Sequence, residues 1–158
     1  KPLCLSDMKV LKILVKLIIG LFVFAFVGLF FISRGNAFEP GVKNNQLAPC
    51  PDRPNCVNST MSKEDGNYLE AISYNEDLEP IHESIQQIFG PNTQIIKHSQ
   101  NYMHCTYKVG IWTDDVEFLF DTEQNLIHFR SASRWGYGDR DVNKNRMNSI
   151  RKQISELN

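Results

Sequence analysis

The chain has 158 residues, with 17 Lys/Arg against 18 Asp/Glu for a net charge of −1, and 42% of its residues are hydrophobic. That balance lacks the broad basic footprint of general nucleic-acid binding. The length leaves room for one modest core, and there is no internal repeat or low-complexity tract.

Residues 1–9 form a short basic tail in which Lys1 to Asp7 carries no pattern; Met8 is a candidate initiator and Cys4 an ordinary thiol. The run Leu17 to Ile32 holds no charged residue. As a helix it is about 24 Å long, short of a bilayer core of about 30 Å. Extension back to Val10 gives a span over residues 10–32, with Lys12 and Lys16 able to run their stems to the interface. Gly20 and Gly28 are spaced too far apart for a small-xxx-small dimer pair. A single retained transmembrane helix is the leading reading. A cleaved signal with its exit at Gly35-Asn36-Ala37 is the alternative, opposed by the length of the run and by Arg34.

Lys1, Lys9, Lys12 and Lys16 precede the span, and only Arg34 and Lys43 follow it closely. The positive-inside rule predicts a cytoplasmic N-terminus and a periplasmic or otherwise extracytoplasmic remainder. After residue 32 there are 13 Lys/Arg and 17 Asp/Glu, a net charge of −4.

Residues 33–66 are rich in Asn, Pro, Gly and Ser and read as a tether and a stapled loop. Within it, Cys50 and Cys56 bracket a segment stiffened by Pro51 and Pro54, as a small disulfide ring in an oxidising compartment would. Further metal ligands are lacking between Leu47 and Asp65, so neither a metal nor another cofactor is expected. Asn58-Ser59-Thr60 matches a glycosylation sequon.

Residues 67–158 predict a small α+β domain. A short strand over Tyr68–Tyr74 precedes a helix opened by Asp77, with Leu78, Ile81, Ile85, Ile88 and Phe89 on one stripe and Gly90-Pro91 as its stop. Strands follow over Thr93–His98 and Tyr102–Ile111, then a hairpin of Val116–Phe120 and Leu126–Ser133. The final helix runs from Val142 to Leu157 and buries Met147, Ile150, Ile154 and Leu157. An antiparallel sheet of 4–5 strands with two helices on one face would bury both stripes. Cys105, in a strand, reads as a buried thiol.

The hairpin carries the candidate chemistry. With Val116, Phe118 and Phe120 inward, Asp115, Glu117 and Leu119 face the other way. The expected register sets Glu117 across from Arg130, and Leu119 across from His128. Arg134, Tyr137, Asn143 and Arg146 follow, and seven Lys/Arg stand against two Asp from Arg130 to Lys152. Glu117, Arg130, Arg134, Tyr137, Asn143 and Arg146 are therefore the candidate binding residues, for an anionic ligand clamped by guanidiniums. A structural ion-pair network is the competing reading. His82, His98, His104 and His128 show no metal spacing, and Ser131 and Ser133 lack a nucleophile elbow.

LAPCPDRPNC at Leu47–Cys56, DDVEF at Asp114–Phe118 and RSASRWGYGDRDVNKNR at Arg130–Arg146 together resemble the DUF1499 family. The resemblance implies a small, often membrane-anchored or exported α+β domain and brings no activity with it. The family pattern has a small residue where Cys105 stands and a Ser where Gly138 stands, which weakens any role for Cys105 and argues against an essential hydroxyl at position 138. The sequence thus points to a non-enzymatic, membrane-tethered module binding a protein partner or an anionic envelope ligand. An accessory subunit of a membrane complex is one alternative. The other is a hydrolase using Asp115 or Glu117 with His104 or His128.

Overall fold

A computed structural model describes residues 5–33, 39–75, 78–110 and 112–156. Five sequence-based expectations concern residues outside these: the thiol of Cys4, the exit at Gly35-Asn36-Ala37, the helix start at Asp77, the strand end at Ile111 and the burial of Leu157. The chain forms two compact units, Lys1–Gly35 and Asn36–Asn158.

The first unit is a helix, α1 (Leu5–Ser33). Its segment Met8–Leu29, 22 residues of mean hydropathy 2.6 with none of its most apolar window buried, is long and apolar enough to cross a membrane or to serve as a signal sequence. Lys9, Lys12 and Lys16 cluster in its N-terminal half.

The second unit is α+β. In chain order it contains β1 (Val42–Lys43), β2 (Gln46–Leu47), β3 (Cys56–Asn58), β4 (Ile72–Ser73), α2 (Leu78–Phe89), β5 (Thr93–Ser99), β6 (Tyr102–Val109), β7 (Trp112–Asp121), β8 (Leu126–Ser133) and α3 (Val142–Ser155). β1 and β2 make a hairpin of their own. The other six strands form one antiparallel sheet in the order β3-β8-β7-β6-β5, with β4 also pairing with β8. The sixth strand is β3, which composition had assigned to the stapled loop. It is only three residues long, too short for periodicity to reveal, yet all three are buried against β8. The expected strand over Tyr68–Tyr74 shrinks to β4 and a single bridge from Asn58 to Tyr68.

Phe118, Phe129, Val116, Ile127 and Met103 point to one face of the sheet, where Ile81, Ile85 and Phe89 of α2 and Met147, Ile150 and Ile154 of α3 join them in one cluster. Both helices therefore lie on the same face, as their apolar stripes require. Ile88 packs at its margin. Gly90, at φ 61°, ends α2 in the left-handed region that its missing Cβ permits.

The opposite face has its own small cluster of Leu47, Tyr102 and Leu119. It forms because β1 and β2 turn through Asn44 and Asn45, at φ 54° and 57°, the two-residue turn that suits a tight hairpin. Residues 39–48 thus lie as a strap over β7 and β8. The Cys50–Cys56 disulfide closes the chain between strap and β3. Cys105 is a buried free thiol, pushed up to about 11 by that burial.

The disulfide joins residues only six apart, so loop-closure entropy is worth about 2 kcal/mol. Cys50→Ser with Cys56→Ser should lower the urea-unfolding free energy of the domain by about that amount. An unchanged midpoint would show that the ring adds nothing to the sheet edge.

Candidate functional site

The β7–β8 register pairs Glu117 with Arg130 and Leu119 with His128, as strand alternation predicts. Both charged side chains have 0% exposure. Arg130 Nη1 donates to Glu117 Oε2 at 2.9 Å, while Glu117 Oε1 accepts from the Tyr102 hydroxyl and from the Gly41 backbone N–H, each at 2.6 Å. Both carboxylate oxygens act as acceptors, which is the pattern of an ionised Glu. Burial pushes the Glu117 carboxyl up against the pull of Tyr102 and Arg130. It also lowers Arg130 to about 10, against the pull of Glu117. The strap seals the pair, and Asn58 Nδ2 holds the strap by donating to the Ala48 carbonyl at 2.9 Å.

One step along β7, Asp115 receives a fork from Arg134, Nε at 2.8 Å and Nη2 at 2.9 Å, and bonds His104 Nε2 at 2.8 Å. Asp115 is 2% and His104 7% exposed. Burial pushes Asp115 up, but the hydrogen bonds and charges of Arg134 and His104 outweigh it and hold the carboxyl below its usual range. His128, whose pKa burial lowers, lies 3.5 Å from the Ser59 hydroxyl.

Asn143 and Arg146 belong to the other side of the sheet. There Arg146 Nη2 meets Asp114 Oδ2 at 2.6 Å, its Nη1 reaches Ser131 and Asn143, and its guanidinium lies 4.6 Å from the Tyr107 ring centre. Asn143 Nδ2 lies within reach of Asp139 Oδ2, Ser133 Oγ and the Asn55 carbonyl. Asp139 also accepts from the backbone N–H of Asn143 at 2.8 Å and of Asp141 at 3.1 Å, satisfying donors at the start of α3.

The six expected binding residues therefore do not form one face. Glu117, Arg130 and Arg134 lie on the strap side, Asn143 and Arg146 on the helix side, and Tyr137 stands 71% exposed in the loop before α3. Adjacent β7 residues point to opposite faces, so Asp114 and Asp115 draw the later arginines to different sides. Arg130 is enclosed with Glu117, whereas Arg134, its side chain 46% exposed, commits Nε and Nη2 to Asp115. Asn58 of the sequon has 0% exposure, with its Nδ2 donating to Ala48 and its Oδ1 accepting from Thr60, so the folded domain leaves no room for a glycan there.

Composition and spacing did not single out the cleft at the end of the sheet. It encloses about 370 Å³ between Trp112 and Trp135, with Asp114, Thr113 and Ser133 among its polar lining and Asp139 and Arg140 from the loop before α3. These are the only two tryptophans of the chain. Continuing the Asp114–Ser133 pairing outward by two residues brings positions 112 and 135 opposite each other, so the hairpin register already held the signal. The loop is anchored by Asn55 Nδ2 and Arg53 Nη1, both donating to the Gly136 carbonyl. Its residues Gly136, Arg140 and Asp141 have φ of 86°, 56° and 61°. Two successive non-glycine residues in the left-handed region are a local strain that the Asp139 bonds offset.

Seven of the ten lining residues come from the stretch Arg130–Arg146. Residues 46–154 match the family model described as protein of unknown function, DUF1499. The chain belongs to the DUF1499 family. No curated protein and no solved structure gives a significant match. The DUF1499 match takes in β2, β3 and the disulfide, the cleft, and every side chain of the two polar networks, and leaves out Gly41 of the strap. Among the described residues, no three His, Cys, Asp or Glu side chains are grouped to hold a metal ion.

Because Asp115 has a folded pKa below its unfolded value, its contribution to stability is complete above that unfolded value, near pH 4, and is lost as the pH falls through the folded one. Asp115→Asn should therefore flatten the acid side of the stability–pH curve measured by urea unfolding from pH 6 to 2. A slope identical to that of the parent protein would refute the assigned network.

Proposed function

We propose that the protein is a membrane-anchored, non-enzymatic binding domain that takes its ligand in the Trp112/Trp135 cleft. In this reading α1 is retained, the N-terminal tail is cytoplasmic and the domain lies on the far side of the membrane. The excess of lysines before the span supports that direction. The Cys50–Cys56 disulfide supports an oxidising compartment for the domain.

The observation that carries the proposal is the cleft itself. It is concave, counts two tryptophans and a few polar residues in its lining, and its volume is near the lower end of the roughly 300–1,000 Å³ usual for small-molecule sites. Its supports are fixed before any ligand arrives: Asn143 ties Asp139 to Ser133, and Arg146 fixes Asp114. Such preorganisation lowers the ordering cost of binding. Two of the candidate residues, Asn143 and Arg146, thereby act behind the cleft and position its polar lining.

A second reading has one observation in its favour, the 2.8 Å bond between His104 and Asp115, the kind of pair used in proton transfer. Both residues are buried, and both oxygens of Asp115 are already held by Arg134. The pair has the bond of a catalytic base and lacks the access.

The test is purification of the anchored protein in native lipid, followed by mass spectrometry of the small molecules released on denaturation. Wild type should carry a species that a Trp112→Ala, Trp135→Ala double variant lacks, with both variants equally folded by circular dichroism. The same released species in both preparations would remove the cleft from the account.

A further inference from the structure

We infer that the cleft takes an uncharged sugar ring, the terminal unit of a neutral glycan. This rests on the reading of the cleft as the binding site and assigns the chemical class of its ligand.

Three features of the cleft converge on that class. First, both tryptophans of the chain are among its lining residues, and Trp112 is 54% exposed. An indole offers a broad apolar face ending in a single N–H donor, which suits a ring with one C–H-rich face and hydroxyls around its rim. Second, the polar lining is rich in acceptors. Asp114 and Asp139 supply carboxylates, and Thr113 and Ser133 supply hydroxyls. Asp114 is only 5% exposed, so the polar floor is built into the sheet. Acceptors of this kind are matched by a ligand bearing several O–H donors.

Third, charge separates the candidates. The Asp114 carboxylate is balanced by Arg146 at 2.6 Å. Asp139 is held by the Asn143 amide and by backbone donors at the start of α3, and Arg140 adds one cation to the same lining. The local balance is close to neutral, so a cationic ligand finds no uncompensated carboxylate. A phosphate or uronate likewise meets no net positive charge in the lining, so the cost of desolvating it in the partly enclosed cleft is not repaid. That disfavours nucleotides and acidic sugars, although a nucleobase could stack on the same indoles. The loop that carries Asp139 and Arg140 into the lining is itself anchored, its Gly136 carbonyl tied to Asn55 and Arg53.

Because the chain has only two tryptophans and both line the cleft, indole emission reports on this site alone. The full-length protein in detergent micelles is titrated with three trisaccharides: N-acetylchitotriose, neutral; trigalacturonate, anionic; and the glucosamine trimer, cationic. The neutral sugar should shift the emission saturably, with at least tenfold higher affinity than either charged one. Trp112→Ala, followed through Trp135, should weaken it at least tenfold without changing the thermal midpoint.

Preference for a charged trisaccharide, with binding lost in Trp112→Ala, would overturn the neutral-sugar assignment and leave the cleft as the site. No response to any sugar, while a native species is still lost from the double tryptophan variant, would also overturn the sugar class alone. No response together with unchanged native species would remove both.

Discussion

The buried pair of Glu117 and Arg130 sets the terms for the rest of the domain. Moving a carboxylate and a guanidinium out of water costs several kcal/mol for each, and their mutual attraction repays this only with good geometry and additional hydrogen bonds. Here the additional donors come from Tyr102 on the neighbouring strand and from Gly41 in the strap. The strap is consequently required by the pair: without it, the Glu117 carboxylate would lose a backbone N–H and its shield from water. Leu47 closes the arrangement by packing on Tyr102 and Leu119. A stretch with little periodicity thus becomes part of the folded unit through polar demand as much as through apolar burial.

The two faces of the sheet consequently differ in character. The strap side carries a sealed ionic layer, continued at its margin by the Asp115–His104–Arg134 cluster. The helix side carries the main apolar core and, near the start of α3, a network through Asp114, Arg146, Asn143 and Asp139. This second network borders a cleft, whereas the first is closed over. The end of the sheet near Trp112 and Trp135 is thus where the second network meets an open surface.

Much of the fold was legible in the sequence because its signals are periodic. Ile81, Ile85 and Phe89 mark the buried stripe of α2, Met147, Ile150 and Ile154 that of α3, and alternation in β7 gives the Glu117–Arg130 register. What stayed hidden depends on contacts distant in sequence. Nothing local to Glu117 indicates that residues 39–48 cover it, although Asn44-Asn45 is a hairpin signal. The separation of Arg134 from Arg146 follows from which of two adjacent aspartates each one reaches, and no linear spacing reports that. Trp112 and Trp135 were recoverable in principle, since the register that pairs 117 with 130 also aligns 112 with 135. Neither indole carries a titratable or metal-ligating atom, so charge and ligand spacing draw no attention to them.

The central claim is that the strap-side ion pair is a closed structural element, which leaves outward recognition to the cleft. Amide hydrogen exchange at Gly41 tests this most directly, because its N–H is the strap's own bond to Glu117. A closed strap predicts exchange slowed by about three orders of magnitude relative to an unprotected amide, corresponding to about 4 kcal/mol of opening free energy. Exchange at the unprotected rate, with the β7 and β8 amides still protected, would show an open strap and a Glu117–Arg130 pair accessible to ligands, contradicting the account.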